Sequence, residues 1–298
     1  MEYVEQLKKR NVKFEIISEG EAAKIMKEQF SYYRLLSLSP CFEKYNHSTQ
    51  IDKFVSLDFS QLYYLAVIDT KLSHIIMQMC MDIECSLKAR LISSVNQCNV
   101  YDTFLAMCCD NGVLNETSFV NVRDSVYHSS EESQRPVDIT AIKLADFLEF
   151  THFGTLVNLI SYFNTVFATG NEIVRIPCEE FLIQAKRIRN IVAHNNSILA
   201  RINIPTSYHN LSIKAFLGKQ GICNKTLNTN MSKAIINDIV SLFFLYSKII
   251  PHAEKIRHEL DEFDSLYCIR FREHFTKNAV LSSIYNFLKD IVNLPDFF

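Results

Sequence analysis

The chain has 298 residues, with 31 Lys plus Arg against 33 Asp plus Glu and a formal net charge of −2. It therefore lacks the global basic field of proteins that package nucleic acid in bulk, and any nucleic-acid contact must come from a local patch. Only 6 Gly and 6 Pro interrupt it, and its Leu, Ile, Phe, Lys and Glu content favours an all-α, mainly helical fold in one large or two small domains.

Residues 2–10 read as a short helix with Val4 and Leu7 inward, and Asn11–Ile17 as a short extended piece. Ser18 with Glu21 makes a capping-box pattern, which predicts a helix from Glu19 to about Gln29. Phe30–Leu36 (FSYYRLL) is aromatic-rich with one cation. Exposed, it could stack bases; packing of the N-terminal unit is the favoured reading. Residues 41–60 read as a connector. A long helix starts at Phe59 or Ser60 and runs to about Ser94, with Leu65, Ile68, Leu72, Ile75, Ile76, Met79, Ile83, Leu87 and Leu91 at three- and four-residue steps. Glu84 and Lys88 are an i, i+4 pair in the favourable order. They read either as a surface pair or as Glu84 orienting a cation of a neighbouring helix.

Residues 96–115 mix helical and turn-like pieces, and Ser129–Pro136 (SSEESQRP) reads as an exposed loop. Helices resume near Ile139 and again from Thr151 to about Phe167, where Gly154 suggests close helix packing or a kink. His152 reads as structural rather than as part of a site. Ala168–Asn171 is a turn. Residues 200–230 read as loop with short regular pieces. Ser232 is expected to cap a helix ending at Pro251, and amphipathic helices continue through 252–292. The domain reading is an N-terminal helical extension over 1–58 and a helical domain with C-terminal helices over 59–298.

Nine cysteines lie without a CxxC pair, and Cys108-Cys109 reads as two small core or turn residues, consistent with a reducing compartment. His252 and His258 have no HExxH-type spacing, and no P-loop, Gly-rich dinucleotide motif or GxSxG is present, so neither a metal nor a cofactor is expected. No run of about 18 uncharged apolar residues occurs. The charged N-terminus lacks a signal peptide's apolar core. The expectation is a soluble, cytoplasmic protein with no membrane partner.

The most informative stretch is Phe181–Ile198, FLIQAKRIRNIVAHNNSI. At 100° per residue, Phe181, Ala185, Ile188 and Val192 share one side within about 60°. Lys186, Arg187, Asn190 and His194 fall opposite, with Arg189 on the shoulder between the faces. Asn190 and His194 are i and i+4, so their side chains meet. Asn195-Asn196 is expected to end the helix, because Asn tolerates a left-handed cap. Such a front suits anionic chemistry. Histidine takes or gives a proton near neutral pH, a guanidinium grips phosphate oxygens in pairs, and asparagine orients either. The combination fits metal-free RNA backbone cleavage. By itself the spacing is weak, since an Arg followed four to six residues later by a His arises by chance about once in a chain this long.

The order of several blocks resembles the Abi family, the abortive-infection proteins of bacteria. Phe30–Leu36 is similar to the family's tyrosine-rich YYRL block. Asp69-Thr70-Lys71-Leu72 is similar to its D-x-x-L, and Ile83–Arg90 (IECSLKAR) to its IE-x-x-L-R-x-R helix. Phe153-Gly154-Thr155-Leu156 is similar to FG-x-L, and Arg189-Asn190…Ala193-His194 to RN-x-x-AH. The chain departs from the pattern at Leu36-Ser37-Leu38, where Gly-Tyr is usual, at Ser73, where Arg is usual, and at Asn195-Asn196, where a second His is common. The resemblance implies a HEPN-type helical bundle and a metal-independent endoribonuclease. In that scheme Arg189 and His194 are catalytic, Asn190 supports them and Glu84 orients. Lys186, Arg187, Lys88 and Asn195 are the candidates for holding RNA. It also implies a homodimer with two Arg/His sets in one cleft, and a structured non-coding RNA as a further partner besides the substrate. The alternative is a non-catalytic RNA-binding module of the same fold that holds a non-coding RNA or a partner protein.

Overall fold

A computed structural model describes residues 2–45, 52–119, 142–207, 210–294 and 297. The loop expected over 129–136 lies outside the described residues. The fold is mainly helical. In chain order the helices are α1 (Glu2–Lys9), α2 (Glu19–Glu28), α3 (Tyr32–Ser37), α4 (Phe59–Gln97), α5 (Phe104–Asp110), α6 (Leu144–Glu149), α7 (Phe153–Val166), α8 (Leu182–Ala193), α9 (Leu211–Lys219), α10 (Asn224–Met231), α11 (Ala234–Ile249), α12 (Glu254–Phe263) and α13 (Ala279–Val292). Two short strands, β1 (Val12–Lys13) and β2 (Leu57–Asp58), pair in parallel with Val12 opposite Leu57. Among the described residues no helix is long and apolar enough to cross a membrane.

The chain divides into two compact units at places other than 58/59. The first holds residues 1–79, 187–247 and 251–298, and the second 80–186 and 248–250. The N-terminal extension is thus part of the same unit as the C-terminal helices.

In the first unit, α2 starts on the expected capping box, with Glu21 N–H donating to Ser18 Oγ and Ser18 N–H to Glu21 Oε2. The start of α4 uses a variant of it: Ser60 N–H donates to Asp58 Oδ1, and Asp58 N–H to Gln61 Oε1. The core is built around α11, whose Ile236, Ile239, Val240, Leu242 and Leu245 are fully buried. In place of the loop expected over 200–230 stand α9 and α10. Asn210 caps α9 by accepting from Ile213 N–H (3.0 Å), Ile213 and Leu217 bury one face, and Gly221 at φ +91° ends it. Ser232 does not cap α11; its hydroxyl donates back to Thr229 O (3.0 Å).

In the second unit, Ile83, Leu87, Leu91 and Val95 of α4 are fully buried, as are Phe104, Phe147, Phe163 and Leu182. Asn164 of α7 spans the entry to α8. Its amide donates to Ile176 O and Glu179 Oε2 (2.9 Å each), and its carbonyl accepts from Ile176 N–H (3.0 Å). All nine cysteines are free thiols. Burial pushes Cys108 up to about 12.

Candidate functional site

The apolar back of α8 is as its spacing predicts: Phe181, Ala185, Ile188 and Val192 are buried. Asn190, His194 and Asn195 are exposed and Arg189 half-buried. The helix ends in a Schellman motif. Asn195 takes φ +52°, its N–H donates to Val192 O (2.9 Å), and Asn196 N–H donates to Ile191 O (3.0 Å). His194 is therefore the C-cap residue, held by its own N–H to Asn190 O (3.2 Å). Asn195, expected to touch RNA, has the structural task of making this cap.

What fixes the chain beyond His194 is a buried ion pair. Arg34 of α3 donates through Nη1 to Asn195 O (2.8 Å) and through Nη2 to Asp69 Oδ2 (2.7 Å). The other Asp69 oxygen accepts from Leu199 N–H (2.7 Å). On the far side of Leu199, its carbonyl accepts from Cys41 Sγ (3.2 Å). Asp69 is 0% exposed and Arg34 16%. Burial is the largest influence on the Asp69 carboxyl and pushes it above the ordinary carboxylate range. The Leu199 amide, the Arg34 guanidinium, the Ser197 hydroxyl and the Ile198 amide act against it. The Arg34 cation also lies at the carbonyl end of α8, where the helix dipole favours positive charge. One guanidinium thus ties the helix cap to α4, and one carboxylate ties α4 to the segment after the cap.

In the sequence, Arg34 is the cation of an aromatic segment and Asp69 a member of a family block, and neither announces the other as its partner. A signal was available: Asp69 falls on the Leu65–Leu72–Ile76 stripe of α4, and a carboxylate on an apolar stripe requires a cation. In the same aromatic block, Tyr32 is buried and stacked on Tyr3 (4.8 Å), whereas Tyr33 is 68% exposed.

The remaining expected site residues have other neighbours. Arg187 makes a two-pronged pair with the buried Asp238 of α11, Nε to Oδ2 at 3.1 Å and a Nη2 contact to Oδ1. Its fork serves to hold α8 onto α11. Lys186 passes over Gly154 of α7; a Cβ there would lie 3.0 Å from Lys186 Cε and 3.2 Å from Nζ, so Gly154 marks close packing. Glu84 pairs with Lys88 at 3.1 Å. Glu84, Lys88 and Lys186 belong to the second unit, and Arg187, Arg189, Asn190, His194 and Asn195 to the first. His152 is exposed at the start of α7. Among the described residues the side chains of Arg189, Asn190 and His194 have no hydrogen-bond or ion-pair partner, and no three His, Cys, Asp or Glu side chains gather as a metal would need.

A family model described as Abi-like protein matches residues 26–200. The chain belongs to the Abi-like family. No curated protein and no solved structure matches it. In this Abi-like protein the matched span opens within α2 and ends one residue after Leu199, so Arg34, Cys41, Asp69, Asn195 and Leu199 all lie inside it. Three of the blocks that carry the family resemblance meet at the end of α8: the YYRL block through Arg34, D-x-x-L through Asp69, and RN-x-x-AH at the helix end itself.

Proposed function

We propose that this Abi-like protein is a metal-independent endoribonuclease of a bacterial abortive-infection defence system, working in the cytoplasm. The observation that carries the reading is the open front of α8: an imidazole, an amide and a guanidinium with no partner among the described residues, on a helix end braced by Arg34 and Asp69. A neighbouring cation, Arg187, is engaged elsewhere. Preorganised groups with free polar atoms suit a developing charge better than groups that must first break their own bonds.

In the proposed reaction a base takes the proton of the RNA 2′-OH and the 2′ oxygen attacks the adjacent phosphorus. The 5′ oxygen then leaves with a proton from an acid, and a 2′,3′-cyclic phosphate and a 5′-OH result. His194 carries the protons, Arg189 stabilises the charge on the pentacoordinate phosphorus, and Asn190 orients them. Each chain offers one imidazole at this front. A homodimer pairing two such fronts supplies both base and acid. A structured non-coding RNA would suit the same front as a resting partner.

A second reading has the same front grip a phosphate with no chemistry, since a free guanidinium and amide suffice for that. Replacement His194→Asn separates them. As a nuclease the variant loses about 10²- to 10⁴-fold in cleavage rate while keeping its RNA affinity. As a binding module it keeps all of its measurable function. Arg189→Gln is expected to weaken both activities.

A further inference from the structure

A cavity of about 200 Å³ lies in the first unit between the amino half of α4 and the last helices. Its wall is mostly apolar, with Leu72 from α4, Phe243 from α11, Ile284 and Leu288 from α13, and Leu199 from the segment after α8. The walls are tied in place. Asp264 accepts from Tyr285 Oη (2.7 Å) and from Lys289 Nζ (2.7 Å), and Lys289 Nζ also donates to Tyr285 Oη (3.1 Å). Gln61 Nε2 donates to His274 O (2.6 Å), Asn278 Nδ2 to Cys41 O (2.7 Å), and Tyr64 stacks on Phe271 at 4.4 Å. These bonds fix residues 264–278 to α4, to α13 and to the turn at Ser39–Cys41, which frames the cavity.

Three further features separate this space from a packing flaw. The wall Asp264–Ile269 is a π-helical turn, a rare conformation found frequently at functional sites. Its charged lining balances: Asp264 and Lys289 neutralise one another, and Asp261 and Arg272 add one charge of each sign. The family match ends at residue 200, so most of the wall is contributed by the part of the chain beyond it.

We propose that this cavity binds a small, uncharged, largely apolar molecule of roughly ten non-hydrogen atoms, the content that such a volume holds. With its charges balanced and its wall mostly apolar, the lining gives a charged ligand little net compensation for its lost hydration. Because Leu199 lines the cavity while its N–H is bonded to Asp69, an occupant touches the brace behind His194. The binding itself does not depend on the nuclease reading, and its test reads binding alone.

The probe is indole, an uncharged molecule of that size, with benzoate as the anionic control. Indole at about a hundred times its Kd is expected to raise the melting midpoint by about 5 °C and to shift the Leu72, Leu199 and Ile284 methyl resonances. Benzoate is expected to do neither. The filled variant Ile284→Trp, or Leu288→Phe should the first not fold, is expected to lose the indole response. Absence of any concentration-dependent shift overturns the site. An undiminished response in the folded filled variant places indole elsewhere and overturns it too. Benzoate binding as tightly as indole overturns the ligand class.

Discussion

Replacing Arg34 by Met keeps the aliphatic stem and removes the guanidinium that pairs with Asp69 and caps α8. Breaking a buried ion pair from one side costs about 3–5 kcal/mol, because the remaining charge stays buried. Arg34 is 16% exposed, so some water can replace it, and the lower end, about 3 kcal/mol, is expected at neutral pH. The lost hydrogen bond to Asn195 O adds about 1 kcal/mol. The pH dependence has a definite sign. Burial already raises Asp69 above its reference value of 3.8, and Arg34 is among the groups pulling it down, so the variant raises it further. A carboxyl with a raised folded-state pKa contributes stability that is present below the unfolded value and lost as pH rises through the folded one. The deficit of the variant should therefore be about 3–4 kcal/mol at neutral pH and shrink towards about 1 kcal/mol as Asp69 protonates. Urea unfolding followed by circular dichroism, with exchange of the Leu199 amide as a local probe, measures both arms. A neutral-pH deficit below about 1 kcal/mol, or one that is the same at acid and neutral pH, would refute the buried-pair account.

Other substitutions probe the same architecture. Arg187→Gln leaves the carboxylate of Asp238 buried without its partner; since Arg187 is 45% exposed, a loss of about 2 kcal/mol is expected in urea unfolding, with cleavage per folded molecule unchanged. Asn195→Gly should preserve stability within about 0.5 kcal/mol, whereas Asn195→Val should lose about 1–2 kcal/mol, because only the first suits φ +52°. Gly154→Ala adds a Cβ 3.0 Å from the flexible end of Lys186. The lysine can swing aside, so a stability change within about 1 kcal/mol, on the stabilising side, is expected in a thermal melt.

Much of the fold was readable because its cues are local. The 3.6-residue period marked both faces of α8 and the buried stripe of α4, and the Ser18–Glu21 and Asn195 caps are decided by side chains within one turn. What escaped was either polar in composition or tertiary. Residues 211–231 carry many Asn, Thr and Ser, which obscure the Ile213–Leu217 pair that buries α9. From the sequence Arg187 reads as a free cation, because Asp238 lies 51 positions away. Arg34 and Asp69 are 35 apart, and Leu199 is 130 beyond Asp69. A sequence shows that a buried carboxylate needs a partner but not which guanidinium arrives, and the brace at the candidate site depends on that choice.

The central claim is that His194 moves protons in metal-free RNA cleavage. Its most direct test is to incubate wild type and His194→Ala with total cellular RNA in EDTA and determine the chemistry of the new ends. The account predicts cleavage by wild type alone, leaving 2′,3′-cyclic phosphates and 5′-OH ends. Cleavage that requires Mg²⁺, proceeds equally in His194→Ala and leaves 3′-OH ends would contradict it.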